Sequence, residues 1–173
     1  CTARPTISTN MLGAIAAMFP NAAILQMVRD PTDTGFACFR QLFTSGNETL
    51  YGLADIGAEY VRYRGLMDHW GAILPGRVTD VRYEDLAADP DGAIPALVTQ
   101  AAGLGWDPAC LRFYEREGAV LTASAAQVRR PAYATSVQRW RRHAERLGPL
   151  ARALGPYGPG DVGLAESGAN DGT

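Results

Sequence analysis

Lysine is missing altogether: the 16 basic side chains of this 173-residue chain are all arginine. Any site that needs a cation must therefore use a guanidinium, which stays charged and can grip an oxyanion through two N–H groups at once. Cysteine is scarce. Cys1, Cys38 and Cys110 are odd in number, widely spaced and without a C-x-x-C pair, which argues against a disulfide framework and against a zinc site. Net charge is only −2, too little for a chain-wide field that attracts nucleic acid or an anionic membrane. No apolar run approaches the roughly 20 residues needed to span a bilayer, and the first residues lack the charged-then-apolar pattern of a secretory signal. A reducing, cytoplasmic setting is the expectation, which makes the sequon Asn47-Glu48-Thr49 accidental. There is no internal repeat.

What is present is an ordinary globular composition, 47% hydrophobic and 20% charged, on a chain long enough for one domain with a sizeable core. The chain opens at Cys1 rather than at a methionine, and the expectation is a piece of a longer protein. Thr6 to Met18 is small and apolar at helical spacing and stops at Pro20. Ala22 to Val28 reads as a short buried strand, followed by a helix to about Phe43. Leu50 to Leu74 is the longest element. Its apolar positions Leu53, Ile56, Tyr60, Tyr63, Met67, Trp70 and Leu74 step by three or four and share one helix face. Pro75-Gly76 ends it, and Val78 to Tyr83 reads as a second strand. A helix is expected from about Asp91 to Ala102 with Pro95 near its first turn, another short one from Asp107-Pro108, and an amphipathic helix from Ser136 to Leu147. From Gly155 onward Gly, Pro, Asn and Asp dominate, so residues 155–173 are expected to be a disordered tail behind a domain spanning residues 1–154. Helix and strand alternate in the rhythm of an α/β protein with a parallel sheet.

The stretch "AAILQMVRDPTDTGFACF" ends its apolar run at Arg29. Asp30 suits a helix N-cap, Pro31 the first helical position and Asp33 the third. Ligands of α/β sheets bind beyond the carboxyl ends of strands, where helix N-termini point. An arginine at a strand's last position beside the N–H groups of a helix start makes an oxyanion site. Pairing of Arg29 with Asp30 or Asp33 alone is the competing reading, and this stretch by itself leaves both open.

Three stretches, "NAAILQMVRDPTDTGFACF", "LPGRVTDVRYEDLAADPDGAI" and "ASAAQVRRPAYATSVQRWRRH", together resemble the sulfotransferase family. The likeness is to bacterial sulfotransferases that follow tetratricopeptide repeats and to tyrosylprotein sulfotransferases, and it covers residues 1–154. It implies the C-terminal part of a P-loop-like three-layer αβα fold with a parallel sheet, binding 3′-phosphoadenosine 5′-phosphosulfate as donor co-substrate without a metal. It implies that Arg29 grips the donor's 3′-phosphate. The helping serine of the family, eight residues on, is Ala37 here, a loss worth about one neutral hydrogen bond, roughly 1 kcal/mol. By the same resemblance Tyr83 lies against the nucleotide and Arg130 near it, Ser124 is directed at the 5′-phosphosulfate, and Arg4 stands where relatives carry a catalytic lysine. The implied partners are the nucleotide donor and a hydroxyl acceptor, with protein tyrosine among the candidates.

Sulfuryl transfer also needs cations at the leaving phosphate and a base on the acceptor hydroxyl, by analogy with phosphoryl transfer. The family places these in a Gly/Ser/Thr-rich loop and shortly after it. No P-R-S-G-T-T-like or G-x-x-x-x-G-K-[ST] stretch occurs in this chain. His69 and His143 fall on expected helices and read as surface or packing residues rather than bases. The expected function is thus that of a sulfotransferase piece, inactive by itself. A non-catalytic binder of adenosine 3′,5′-bisphosphate and a structural remnant are the alternatives. Two parallel strands make a weak sheet alone, so marginal stability or self-association is expected too.

Overall fold

The computed structural model describes residues 9–41, 51–115 and 137–159. Arg4, Ser124, Arg130 and most of the expected tail lie outside the described residues. Among those described, two strands pair in parallel: β1 (Ile24–Val28) and β2 (Val78–Arg82), with Ile24 opposite Val78 and Val28 opposite Arg82. Helices α1 (Leu12–Met18), α2 (Pro31–Phe39) and α3 (Leu53–Ile73) alternate with them, and α4 (Tyr83–Ala88), α5 (Pro90–Ala96) and α6 (Gly148–Leu154) follow. The mixed helix-and-strand pattern with parallel pairing is the α/β class expected from sequence. The fold divides into two compact units, Cys1–Asp30 with Arg62–Val137 and Pro31–Val61 with Gln138–Thr173.

The first unit holds the sheet. A parallel pair needs a covering layer because its strands are apolar on both sides. On one face Gln26 of β1 donates a hydrogen bond to the Tyr63 hydroxyl of α3 at 2.7 Å, and Ile24, Gln26 and Val28 are half-buried. Side chains alternate across a strand, so Leu25 and Met27 point the other way, and they are 40% and 50% exposed. The C-terminal part of α3 also anchors α1. The Trp70 indole N–H donates to the Thr9 carbonyl at 2.8 Å, and a Cβ on Gly13 would stand 2.7 Å from the same ring. Only glycine allows that approach.

After β2 the chain departs from expectation. The strand stops at Arg82, and Tyr83, expected as its last residue, opens α4 instead. The helix expected over 91–102 starts at Pro90, capped by the Asp89 carboxylate on the Gly92 N–H at 3.0 Å. It stops at Ala96 and gives way to a π-helical turn, Leu97–Ala101. Pro95 lies within α5 and not in its first turn. Having no N–H, it removes one helical bond, while the Thr99 hydroxyl donates to its carbonyl at 2.8 Å. Both disturb the regular ladder where the wider turn begins. A 3-10 segment, Pro108–Glu115, opens where Asp107-Pro108 was read as a start.

The second unit packs α2, the first two turns of α3, a 3-10 segment Arg139–Arg146, α6 and a 3-10 turn Gly155–Tyr157. Leu150 and Leu154 of α6 are fully buried, with Phe36, Cys38, Ile56, Trp140 and Leu147 around the same core. Gly35 admits the Leu150 side chain at 2.8 Å from where its own Cβ would be, and Gly57 admits Ala153 at 2.6 Å. The single amphipathic helix expected over 136–147 is corrected: the segment is 3-10, its backbone breaks at His143, and a separate helix begins at Gly148. The expected apolar stripe of α3 is intact, since Leu53, Ile56, Tyr60, Tyr63, Met67 and Trp70 are all buried or half-buried. Among the described residues no helix is long and apolar enough to cross a membrane.

Candidate functional site

Parallel register decides which residues meet. The last Cα partners of the ladder are Val28 and Arg82, so the chain brings Arg29 and Tyr83 next to each other one step later. The Arg29 guanidinium carbon lies 4.9 Å from the centroid of the Tyr83 ring, a cation–π contact worth about 0.5–2 kcal/mol depending on desolvation. One step further, the Asp30 N–H donates to Glu84 Oε1 at 2.8 Å. Three successive positions are therefore joined in order: by the backbone ladder, by a ring contact, and by a carboxylate on an amide. Arg29 sits one residue beyond β1, not at its last position as the sequence reading had it.

The corner has one cation held against an aromatic ring, both half-buried, at the carboxyl end of a parallel pair. A guanidinium can hold an oxyanion, and the Tyr83 ring, with one face under Arg29, can border a planar base with its remaining surface. That donor set fits a nucleotide bearing a phosphate monoester. Helix α2 begins at Pro31, directly after Asp30. Sequence reading left the amides at this helix start open for a ligand, whereas the Asp30 N–H is engaged by Glu84. Asp33, expected to support the first turn of α2 or to pair with Arg29, has a longer reach. Within the second unit its carboxylate accepts the N–H groups of Gln138, at 2.5 Å, and Trp140, at 3.3 Å.

Of the residues singled out from sequence, Arg29 and Tyr83 come together, while Arg4, Ser124 and Arg130 lie outside the described residues. Ala37 is a half-buried residue of α2. His69 is exposed and packs edge-on to Trp70 at 5.2 Å. His143 is exposed with its ring 4.9 Å from Phe36. Sequence reasoning missed Glu84. Matching the shared Val-Arg of "VRD" and "VRYED" would have set Asp30 opposite Tyr83; the observed register, Val28 with Arg82, sets it opposite Glu84. Sequence reasoning also missed Tyr63, whose phenol is pushed above its usual 10.0 mainly by burial, with Asp80 adding to the rise and Arg64 and the Gln26 bond opposing it. Among the described residues no group of three or more His, Cys, Asp or Glu side chains could hold a metal.

Residues 6–108 match the sulfotransferase family. Among curated proteins, an uncharacterized protein of Aquifex aeolicus (strain VF5) is 32% identical over 146 residues, covering 83% of this chain and 19% of the relative. The chain thus spans about a fifth of that relative's length. With the matched span containing both strands, Arg29, Tyr83 and Glu84, the chain belongs to the sulfotransferase family.

Proposed function

We propose that the chain supplies the 3′-phosphate half of the donor site of a sulfotransferase, which moves a sulfuryl group from 3′-phosphoadenosine 5′-phosphosulfate to a hydroxyl acceptor. The observation that carries this is the Arg29–Tyr83 pair at the carboxyl ends of the parallel strands. Arg29 binds the 3′-phosphate through a charge-assisted, bidentate contact, and Tyr83 steadies the guanidinium and borders the nucleotide. Arg130 and Ser124 extend the same donor site, and Arg4 and Ser124 act on the transferring group; these three assignments rest on the family likeness alone. The acceptor class is a hydroxyl, with protein tyrosine the finer candidate. The sequence carries no phosphate-loop stretch, so the contribution of these residues is binding and orientation of the donor, with turnover requiring groups that this stretch of chain does not encode. The residues 1–154 form the donor-binding domain in this reading.

Calorimetry with adenosine 3′,5′-bisphosphate and with adenosine 5′-monophosphate tests it. A charged hydrogen bond is worth about 1.5–3 kcal/mol, so Arg29→Ala should weaken the bisphosphate by about 10- to 100-fold and leave the monophosphate unchanged. Equal losses for both nucleotides, or no heat from wild type with the bisphosphate, would refute the assignment.

A further inference from the structure

We propose that Glu84 is a positioning residue for Arg29; the proposal rests on the reading of Arg29 as the 3′-phosphate ligand. The peptide group is planar, so the N–H of residue 30 and the carbonyl of residue 29 turn as one rigid body. Glu84 Oε1 accepts that N–H at 2.8 Å. Gripping this peptide unit fixes the torsion on the carboxyl side of Arg29 and with it the direction in which the guanidinium leaves the backbone.

The bond exists because the strand ladder runs out there. Beyond the Val28–Arg82 pair, β2 has already turned into α4, so its backbone no longer presents an extended edge to Asp30. A side-chain carboxylate from the second residue of α4 takes the place of that missing carbonyl. Tyr83 is the neighbouring residue, and its ring lies under the Arg29 guanidinium. Adjacent residues at the start of α4 thus hold the backbone and the tip of Arg29 together. This two-point hold removes rotamer freedom that an arginine would otherwise lose on gripping a ligand, which is how preorganisation raises affinity.

A second effect has the opposite sign. Glu84 carries negative charge and repels a bound phosphate. The two effects separate cleanly by substitution. Glu84→Gln keeps an oxygen acceptor of the same reach and loses the charge; Glu84→Asp keeps the charge and shortens the reach by one methylene.

If Glu84 positions Arg29, Glu84→Gln binds adenosine 3′,5′-bisphosphate at least as tightly as wild type. Glu84→Asp then loses about fivefold, the equivalent of one ordinary hydrogen bond, with no change toward adenosine 5′-monophosphate. Glu84→Asp matching wild type while Glu84→Gln binds tighter would overturn the proposal and leave only charge repulsion. A ligand-free measurement separates this outcome from failure of the Arg29 assignment. In wild type the side-chain N–H resonance of Arg29 should show the upfield shift of a group over an aromatic ring. Retention of that shift in Glu84→Gln and its loss in Glu84→Asp support the positioning role even where wild type binds no bisphosphate. An unshifted wild-type resonance, or one unchanged in Glu84→Asp, refutes it.

Discussion

Asp33→Ala is expected to be among the most destabilising single changes in the second unit. Gln138 precedes the 3-10 segment Arg139–Arg146 as its cap residue, yet its own side chain makes no capping bond and its backbone is left-handed, with φ 59°. The orphan N–H groups of this helix start are met instead by Asp33, 105 residues away in sequence from Gln138. The carboxylate is 1% exposed, so water cannot take over when it is removed. Loss of a cap costs about 0.5–2 kcal/mol, and each charged hydrogen bond contributes about 1.5–3 kcal/mol. These overlap, since the capping bonds are the charged bonds, and relief of the buried charge offsets part of the loss. The expected destabilisation is about 2–4 kcal/mol. Asp33→Asn keeps one acceptor oxygen and turns a donor toward the other N–H, so it should fall between wild type and alanine. Urea unfolding reads both. With a slope of about 1–3 kcal/mol per molar, the Asp33→Ala midpoint drops by at least about 0.7 M. An Asp33→Ala midpoint equal to that of wild type, or an asparagine variant worse than the alanine variant, would show that the remote cap does not hold the segment.

Gly57→Ala should destabilise although alanine is favoured over glycine by about 1 kcal/mol inside a helix. Its Cβ would stand 2.6 Å from the Ala153 Cβ and 3.1 Å from backbone atoms of α6, and overpacking of this kind costs about 1–3 kcal/mol; a midpoint above wild type in urea would contradict the close approach. Tyr63 should titrate above 10.0 because burial disfavours its charged form, read as the difference in phenolate absorbance between wild type and Tyr63→Phe. Its folded value is raised above the unfolded one, so its contribution to stability is complete below pH 10.0 and is lost as pH rises through the folded value. Removing the Gln26 bond with Gln26→Leu should raise the value further, since that bond favours the ionised phenol.

The strands, the long helix and the helix start at Pro31 were legible because each rests on a local signal: an apolar run between breakers, seven apolar residues at helical steps, a proline at a first turn. Two short elements were not. Tyr83 has strand-like chemistry and follows a strand, but "YEDLAA" is helix-compatible, with two carboxylates in its first turn, and Asp89-Pro90 punctuates its end. For the segment after Ser136, the helical spacing of Trp140 and its arginines was real. The backbone instead answers to Asp33, a contact more than 100 residues long that no window of sequence can report. The site was half legible for the same reason. Arg29 and Tyr83 were named separately from motifs, whereas their contact and the Glu84 bond follow from strand register, which depends on which residues of two distant runs lie opposite one another.

Register also explains why strand direction matters to this chemistry. In an antiparallel pairing of the same two strands, the end of β1 would lie beside Val78, and Tyr83 would stand beyond the far end of the five-residue ladder, roughly 20 Å from Arg29. Parallel pairing brings both strand ends to one rim, so residues 29 and 83, and then 30 and 84, become neighbours without any loop having to carry them there. The sheet that sets this geometry is only two strands wide among the described residues and leaves Leu25 and Met27 exposed on one face. The precision of the corner cannot come from sheet breadth. It comes from cross-links at successive levels, Gln26 to Tyr63 within the strand and Asp30 to Glu84 beyond it, which hold the rim of a narrow sheet and with it the approach of Arg29 to Tyr83.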